Sequence, residues 1–208
     1  MPARSRFLFQ PDKRLAFFQG FLQHPREVGS IIPSSRFLER RIVRAAHIIG
    51  ARVIVELGPG TGGTSRALLR AMRQDATLLA IEINPRFVEL LRRERDPRLI
   101  AHLGSAANIV PALRTHGFAR ADVVLSGIAF STMKRQLGQQ ILRSVYDALA
   151  EDGVFVAYQV RDRVEDLGRE VFGPPRVQTE ILNVPPMRVY RWMKGRGAKR
   201  RASPALRV

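Results

Sequence analysis

Val53-Ile-Val-Glu-Leu-Gly-Pro-Gly-Thr-Gly-Gly63 decides the fold, together with a second apolar run that ends in Ala80-Ile-Glu-Ile-Asn-Pro85. The first run is a short apolar strand that breaks off in a glycine-rich turn, and a helix opens at about Thr64. Glycine carries no Cβ, so such a turn lets backbone and ligand approach closely. The second run is another strand with Glu82 near its end, 20 residues after Gly62. That spacing brings an acid to the ribose hydroxyls of a nucleotide lying over the turn. Strand, turn, helix, strand and acid in this order predict an adenosine-type cofactor.

Outward from this stretch, strands and helices alternate. Strands are expected near 53–56, 77–83, 99–103, 121–126 and 153–160, and helices near 64–72, 86–93, 109–115 and 134–149. Leu137, Ile141, Val145 and Leu149 recur every four residues and predict one apolar helix face. A further helix is expected at 165–172, before Gly173-Pro174-Pro175. Residues 177–182 and 188–193 alternate like an antiparallel pair around Pro185-Pro186. Alternating strands and helices imply a mainly parallel sheet with right-handed crossovers. Three regions are expected: a helical extension over 1–50, the strand–helix body over 51–194, and a basic, disordered tail over 195–208.

Composition narrows the function classes. With 208 residues the chain is long enough for one domain with a real core. It has no cysteine, which excludes disulfides and thiolate metal sites. His24, His47, His102 and His116 are scattered without metal-ligand spacing, so no metal is expected. No apolar run approaches the roughly 20 residues of a membrane span, and the N-terminus lacks the apolar core of a signal peptide. The expected location is cytoplasmic, with peripheral attachment to membrane. The formal net charge is +17, a surface that attracts polyanions such as nucleic acid or anionic lipid. After Glu180 there is no acid, whereas eight Lys and Arg residues follow. In Lys13-Arg-Leu-Ala-Phe-Phe-Gln-Gly-Phe-Leu22, Leu15, Phe18 and Leu22 share a helical face rimmed by bases. Such a helix either lies in a membrane interface or packs on the body and covers the cofactor.

The spacing Glu56-x-Gly58-x-Gly60-x-Gly62 resembles motif I of the class I S-adenosylmethionine (SAM) methyltransferases. The resemblance implies an α/β Rossmann-like fold: a mainly parallel seven-stranded sheet with a terminal antiparallel hairpin. It implies S-adenosyl-L-methionine as cofactor and S-adenosyl-L-homocysteine as product. The cofactor residues it assigns are Glu56, Gly58, Pro59, Gly60, Thr61 and Gly62 in the turn, with Glu82, Ile83 and Asn84 after the second strand. Gly104, Ser105 and Ala106 follow the third strand, where the family often has Gly-Asp-Ala. Ser105 can hydrogen-bond there but carries no charge.

Gly29-Ser-Ile-Ile-Pro-Ser-Ser35, the turn after the fourth strand (Leu125-Ser-Gly-Ile-Ala-Phe-Ser131) and Asn183-Val-Pro-Pro-Met-Arg-Val-Tyr-Arg-Trp192 are similar to the bacterial phospholipid N-methyltransferases. Ala129 stands where that family usually has proline. The resemblance implies successive methylation of phosphatidylethanolamine to phosphatidylcholine; a related group methylates ornithine lipids, and these residues do not separate the two. Anionic membrane lipids and an amino-lipid substrate are the implied partners. The rival is a ribosomal RNA adenine dimethyltransferase, which shares the turn and would make nucleic acid the partner. Nucleic-acid amino methyltransferases place Asn or Asp, Pro and an aromatic after the fourth strand to hold a flipped base, and Ser126-Gly127-Ile128-Ala129-Phe130 lacks that pattern.

Ligands sit at the carboxyl ends of parallel strands. This nominates Ser126, Gly127, Phe130 and Tyr158 for the reacting centre, the aromatic rings as holders of a methylated, cationic nitrogen. Ser126, Ser30 and Ser34 are candidates for the amine or the SAM carboxylate. Ser34 or Ser35 is also placed to cap a helix starting at Arg36. Arg188 is the candidate for a lipid phosphate, with Tyr190 beside it on the closing strand. No residue is an obvious general base.

Overall fold

The computed structural model describes residues 35–195. Ser30, Ser34, the aromatic stretch 13–22 and the tail beyond Gly195 lie outside them. The described residues open on α1 (Arg36–Ala46), and Ser35 caps it by accepting a hydrogen bond from the Leu38 amide at 3.2 Å. Then follow β1 (Val53–Leu57), α2 (Gly63–Ala71), β2 (Thr77–Glu82), α3 (Pro85–Arg92), β3 (Leu99–Leu103), α4 (Ile109–Thr115) and β4 (Ala121–Ser126). The described residues end with α5 (Arg135–Ala148), β5 (Leu149–Gln159), α6 (Arg163–Phe172), β6 (Arg176–Glu180) and β7 (Met187–Met193). The strands form one sheet in the order β3-β2-β1-β4-β5-β7-β6. Its first five members run parallel, and β7 lies antiparallel to both β5 and β6. This is the expected α/β methyltransferase architecture, terminal hairpin included.

The strands alternate their side chains between two cores. Val55, Leu57, Val124, Phe155, Ala157, Tyr190 and Trp192 face the layer that carries α4, α5 and α6. Ile54, Val123, Leu125, Val154, Val156, Met187 and Val189 face the layer of α1 and α2. Both faces are covered, which is why β1, β2 and β4 read as nearly continuous apolar runs.

Two details differ from the sequence expectation. On α5, Leu137 is exposed and Gly138 is buried, so the apolar face is Gly138, Ile141, Leu142, Val145 and Ala148. A Cβ on Gly138 would lie 2.7 Å from Leu167 Cδ1, so the Leu167 side chain of α6 fills the space beside this glycine. β5 begins at Leu149, earlier than expected, because a register shift between Ala121 and Val123 lets it pair with β4 from Leu149 onward.

Candidate cofactor and active site

The order of strand addition reverses at β1: β2 and β3 are laid on one side, β4 and β5 on the other. The loop leaving β1 leads to α2 on one face of the sheet and the loop leaving β4 to α5 on the other, which is the usual ligand position in open α/β sheets. Both loops are glycine-dependent. Gly58, Gly60 and Gly62 have φ values of +69°, +56° and +80°, a region that other residues enter at a cost. A Cβ on Gly127 would stand 2.6 Å from the Tyr158 hydroxyl and 3.1 Å from the Gly58 carbonyl oxygen. The two loops therefore meet backbone to backbone, with Tyr158 closing the third side.

Glu82 lies over the glycine turn, as its spacing predicts. Its Oε2 accepts from the Gly60 amide at 3.1 Å and its Oε1 from the Asn84 amide at 2.9 Å. A carboxylate offers about four lone-pair directions, so capacity for a ribose diol remains. Asn84 caps α3 by accepting from the Arg86 amide at 3.0 Å. Ile83, beside it, is 74% exposed, an apolar side chain standing free at the end of β2.

Glu56 is fully buried under α2, where its Oε2 accepts from the Ser65 hydroxyl at 2.5 Å and its Oε1 has no partner. Burial pushes its pKa up to about 7; the Ser65 bond opposes this and the nearby Glu82 charge adds to it. An orphaned, buried carboxylate oxygen beside a glycine cradle is chemistry suited to a cation. SAM carries two cationic centres, the ammonium and the sulfonium, so the residues present fit it.

The Tyr158 hydroxyl hydrogen-bonds with Thr64 Oγ1 at 3.2 Å. Burial first, then the Glu56 charge, raises its pKa far above the ordinary tyrosine value. Tyr158 is therefore a neutral hydroxyl near pH 7 and acts by hydrogen bonding. Ser126 is buried, and its Oγ accepts from the Ile128 amide at 3.3 Å, which fixes the turn that Gly127 needs. Gln159 donates to the Ile128 carbonyl and pins the same loop from β5.

Some sequence candidates occupy other places. Phe130 is fully buried in the core under α5 and α6 and does not line the cleft. Tyr190 is likewise fully buried, stacked on Trp192 at 5.9 Å, because alternation on β7 turns both rings toward the core. The Tyr190 hydroxyl has no hydrogen-bond partner, although the Arg188 charge opposes the rise that burial imposes on its pKa. Arg188 pairs in register with Gln159, at the carboxyl end of β5, and reaches Asp162 at 3.5 Å. Ser105 Oγ accepts from the Ala107 amide at 3.3 Å and caps a short turn; the Ala106 side chain packs in the core. Thr64, Ser65 and Gln159 belong to the site but were not anticipated. The signal for Ser65 was a hydroxyl in the first helical turn after a buried acid, and it needed the strand–helix packing to be read.

Comparison with known proteins agrees with this geometry. The family profile described as a methyltransferase domain matches residues 54–153. Ornithine lipid N-methyltransferase of Singulisphaera acidiphila is 29% identical over 177 residues, which cover 84% of this chain and 92% of that protein. Ribosomal RNA small subunit methyltransferase A of Thermobifida fusca is 36% identical over 89 residues, only 43% of this chain and 30% of that protein. Among solved structures, the O-methyltransferase TomG of Streptomyces achromogenes in complex with SAM superposes with a TM-score of 0.62 at 18% identity, covering 91% of this chain and 93% of that one. Residues 54–153 thus match a methyltransferase-domain profile, and the fold is shared with a methyltransferase solved in complex with SAM.

Proposed function

We propose that the protein N-methylates the amino group of a membrane lipid. The observation that carries this reading is the similarity to an ornithine lipid N-methyltransferase over nearly the whole of both chains. The likeness to ribosomal RNA small subunit methyltransferase A covers at most half of that protein, 30% of it in Thermobifida fusca and 50% in Corynebacterium jeikeium. The buried Phe130 also speaks against a base-flipping site, because no ring stands free in the β4 loop to stack on an extruded base. Ornithine lipid is the preferred head group on the strength of that relative. Phosphatidylethanolamine is the second reading, from the resemblance to the phospholipid N-methyltransferases; the Gly29–Ser35 segment and the Ser126-Gly127 turn do not separate the two head groups.

When bound, SAM supplies a methyl group on a sulfonium sulfur, open to in-line attack by an amine lone pair. The chain's own residues do the positioning, which is the main source of acceleration in such a transfer. Glu56 holds the cofactor's ammonium with its free Oε1, and Glu82 takes the ribose diol. Ile83 offers an apolar platform to the adenine. The Gly58–Gly62 and Ser126–Gly127 loops form the cradle walls, and Tyr158 presents a neutral hydroxyl to it. The acceptor amine must arrive deprotonated. An alkyl amine has a pKa of about 10 in water, and desolvation in a closed cleft lowers it.

The deciding experiment incubates the full chain with methyl-labelled SAM and three acceptors: ornithine lipid, phosphatidylethanolamine, and unmodified ribosomal RNA. Label in ornithine lipid supports the preferred reading, and label in phosphatidylethanolamine with mono-, di- and trimethylated products supports the second. Label only in RNA refutes both.

A further inference from the structure

The face built by α1 and the β6–β7 hairpin has no role in the cofactor site. Arg36, Arg40 and Arg44 recur at every fourth residue of α1 and are exposed. Beside them runs a groove of about 490 Å³ whose lining includes Phe37, Arg40, Arg41, Arg44, Arg176 and Arg191. Among the described residues no acid lies within ion-pair distance of Arg40, Arg44, Arg176 or Arg191. Arg176 and Arg191 stand directly opposite each other across the antiparallel pair, and burial first, then the Arg176 charge, lowers the pKa of Arg191. Like charges in that position destabilise a sheet, so the fold holds these guanidiniums together against their repulsion.

The groove ends at an apolar tip. In the β6–β7 connection Ile181, Leu182 and Val184 are 72%, 58% and 77% exposed, and Leu182 and the half-exposed Phe37 also line the groove. Three bonds fix α1 and hairpin as one surface. The Ser35 amide donates to Asn183 Oδ1 at 2.9 Å, Arg41 pairs with Glu180 at 2.8 Å, and Arg191 Nε donates to the Ala45 carbonyl at 2.9 Å. Asn183 is buried and its Nδ2 also donates to the Pro185 carbonyl, so the tip has a set shape.

We propose that this face docks on an anionic lipid bilayer: Ile181, Leu182 and Val184 enter the headgroup–acyl boundary, and Arg40, Arg44, Arg176 and Arg191 take lipid phosphates. Apolar side chains on a basic rim are the combination that interfacial proteins use. A nucleic-acid surface would need the arginines but not the exposed aliphatic tip. The proposal rests on the lipid-amine reading for its purpose and goes beyond it in naming the surface.

The test measures sedimentation of the full chain with vesicles of phosphatidylethanolamine and phosphatidylglycerol, in low and high salt. Two double variants, Ile181→Asp with Leu182→Asp and Arg40→Glu with Arg44→Glu, change exposed side chains, and SAM binding verifies that each is folded. Each double variant is expected to lose about tenfold or more in vesicle affinity, the arginine variant chiefly at low salt, where screening is weak. Wild-type protein that does not bind these vesicles overturns the proposal. So do variants that bind like wild type, as they would if residues 1–34 supplied the only contact. Variants that lose RNA binding while keeping vesicle binding overturn it too. Methyl transfer to amino lipid dispersed in detergent is read separately. Its absence from wild-type protein refutes the substrate reading, whereas vesicle sedimentation decides the docking surface.

Discussion

Two residues carry the sharpest consequences. Glu56 has a folded pKa of about 7 against the ordinary 4.5, so the folded protein holds a proton between these values that the unfolded chain has lost. Stability from this group is therefore full below about pH 4.5 and is lost as pH rises through 7, a penalty on the order of 3 kcal/mol above that. Glu56→Gln should remove that slope: the difference in unfolding free energy between wild type and variant grows from pH 5 to pH 8 in urea titrations. A cationic cofactor favours the ionised form, so wild-type SAM affinity should tighten over the same range, while the variant's stays weak and flat. Gly127→Ala places a methyl group where the Tyr158 hydroxyl and the Gly58 carbonyl already lie. We expect about a tenfold or greater loss of SAM affinity by calorimetry, because overpacking moves the cradle walls themselves. An unchanged dissociation constant would show that the two loops do not jointly form the cofactor site.

Among the elements, α6 and β7 are fitted to each other most tightly. A Cβ on Gly168 would overlap the Trp192 ring, whose Nε1 donates to the Gly173 carbonyl at 3.0 Å just beyond the helix. Phe155, Phe172 and Tyr190 stack around the same ring. Gly168→Ala should cost about 1–3 kcal/mol of stability through overpacking, seen as a lower urea midpoint with an unchanged slope. The helix gain from replacing glycine by alanine, up to about 1 kcal/mol, works in the other direction. A variant more stable than wild type would mean that the Trp192 ring gives way without cost and that the α6–β7 contact is not tight. β7 itself illustrates what alternation settles. Met187, Val189 and Arg191 face the layer with α1, while Tyr190 and Trp192 face the other, which is why Tyr190 leaves the site and Arg191 joins the basic groove.

At the scale of the molecule, the proposed cofactor site lies at the carboxyl ends of the adjacent strands β1 and β4, so contacts there would tie both halves of the sheet together. A ligand bound only by the folded state stabilises it by about 2.7 kcal/mol at a hundredfold excess over its dissociation constant. SAM should therefore raise Tm in a concentration-dependent way, and Glu82→Ala should shift that response to higher SAM. An identical response in Glu82→Ala would remove the ribose assignment. Among the described residues no helix is long and apolar enough to cross a membrane. The α1–hairpin face is the surface proposed above for contact with lipid.

The sequence by itself determined the fold and the cofactor. Apolar strand runs, the glycine turn and Glu82 are local patterns, and a period or spacing survives without knowing what packs on it. Strand limits at 99–103 and 121–126 and the helix at 109–115 coincide with the structure for that reason. Only the tertiary structure decided which side chains reach the cleft. Phe130 and Tyr190 were candidates by topology, and packing consumed both. Gly127 owes its role to Tyr158 and Gly58, 31 and 69 residues away in the chain. The arginine groove joins residues 40 and 44 to 176 and 191. Such convergence depends on which elements lie side by side, and that follows from burying two sheet faces at once rather than from any stretch of sequence alone.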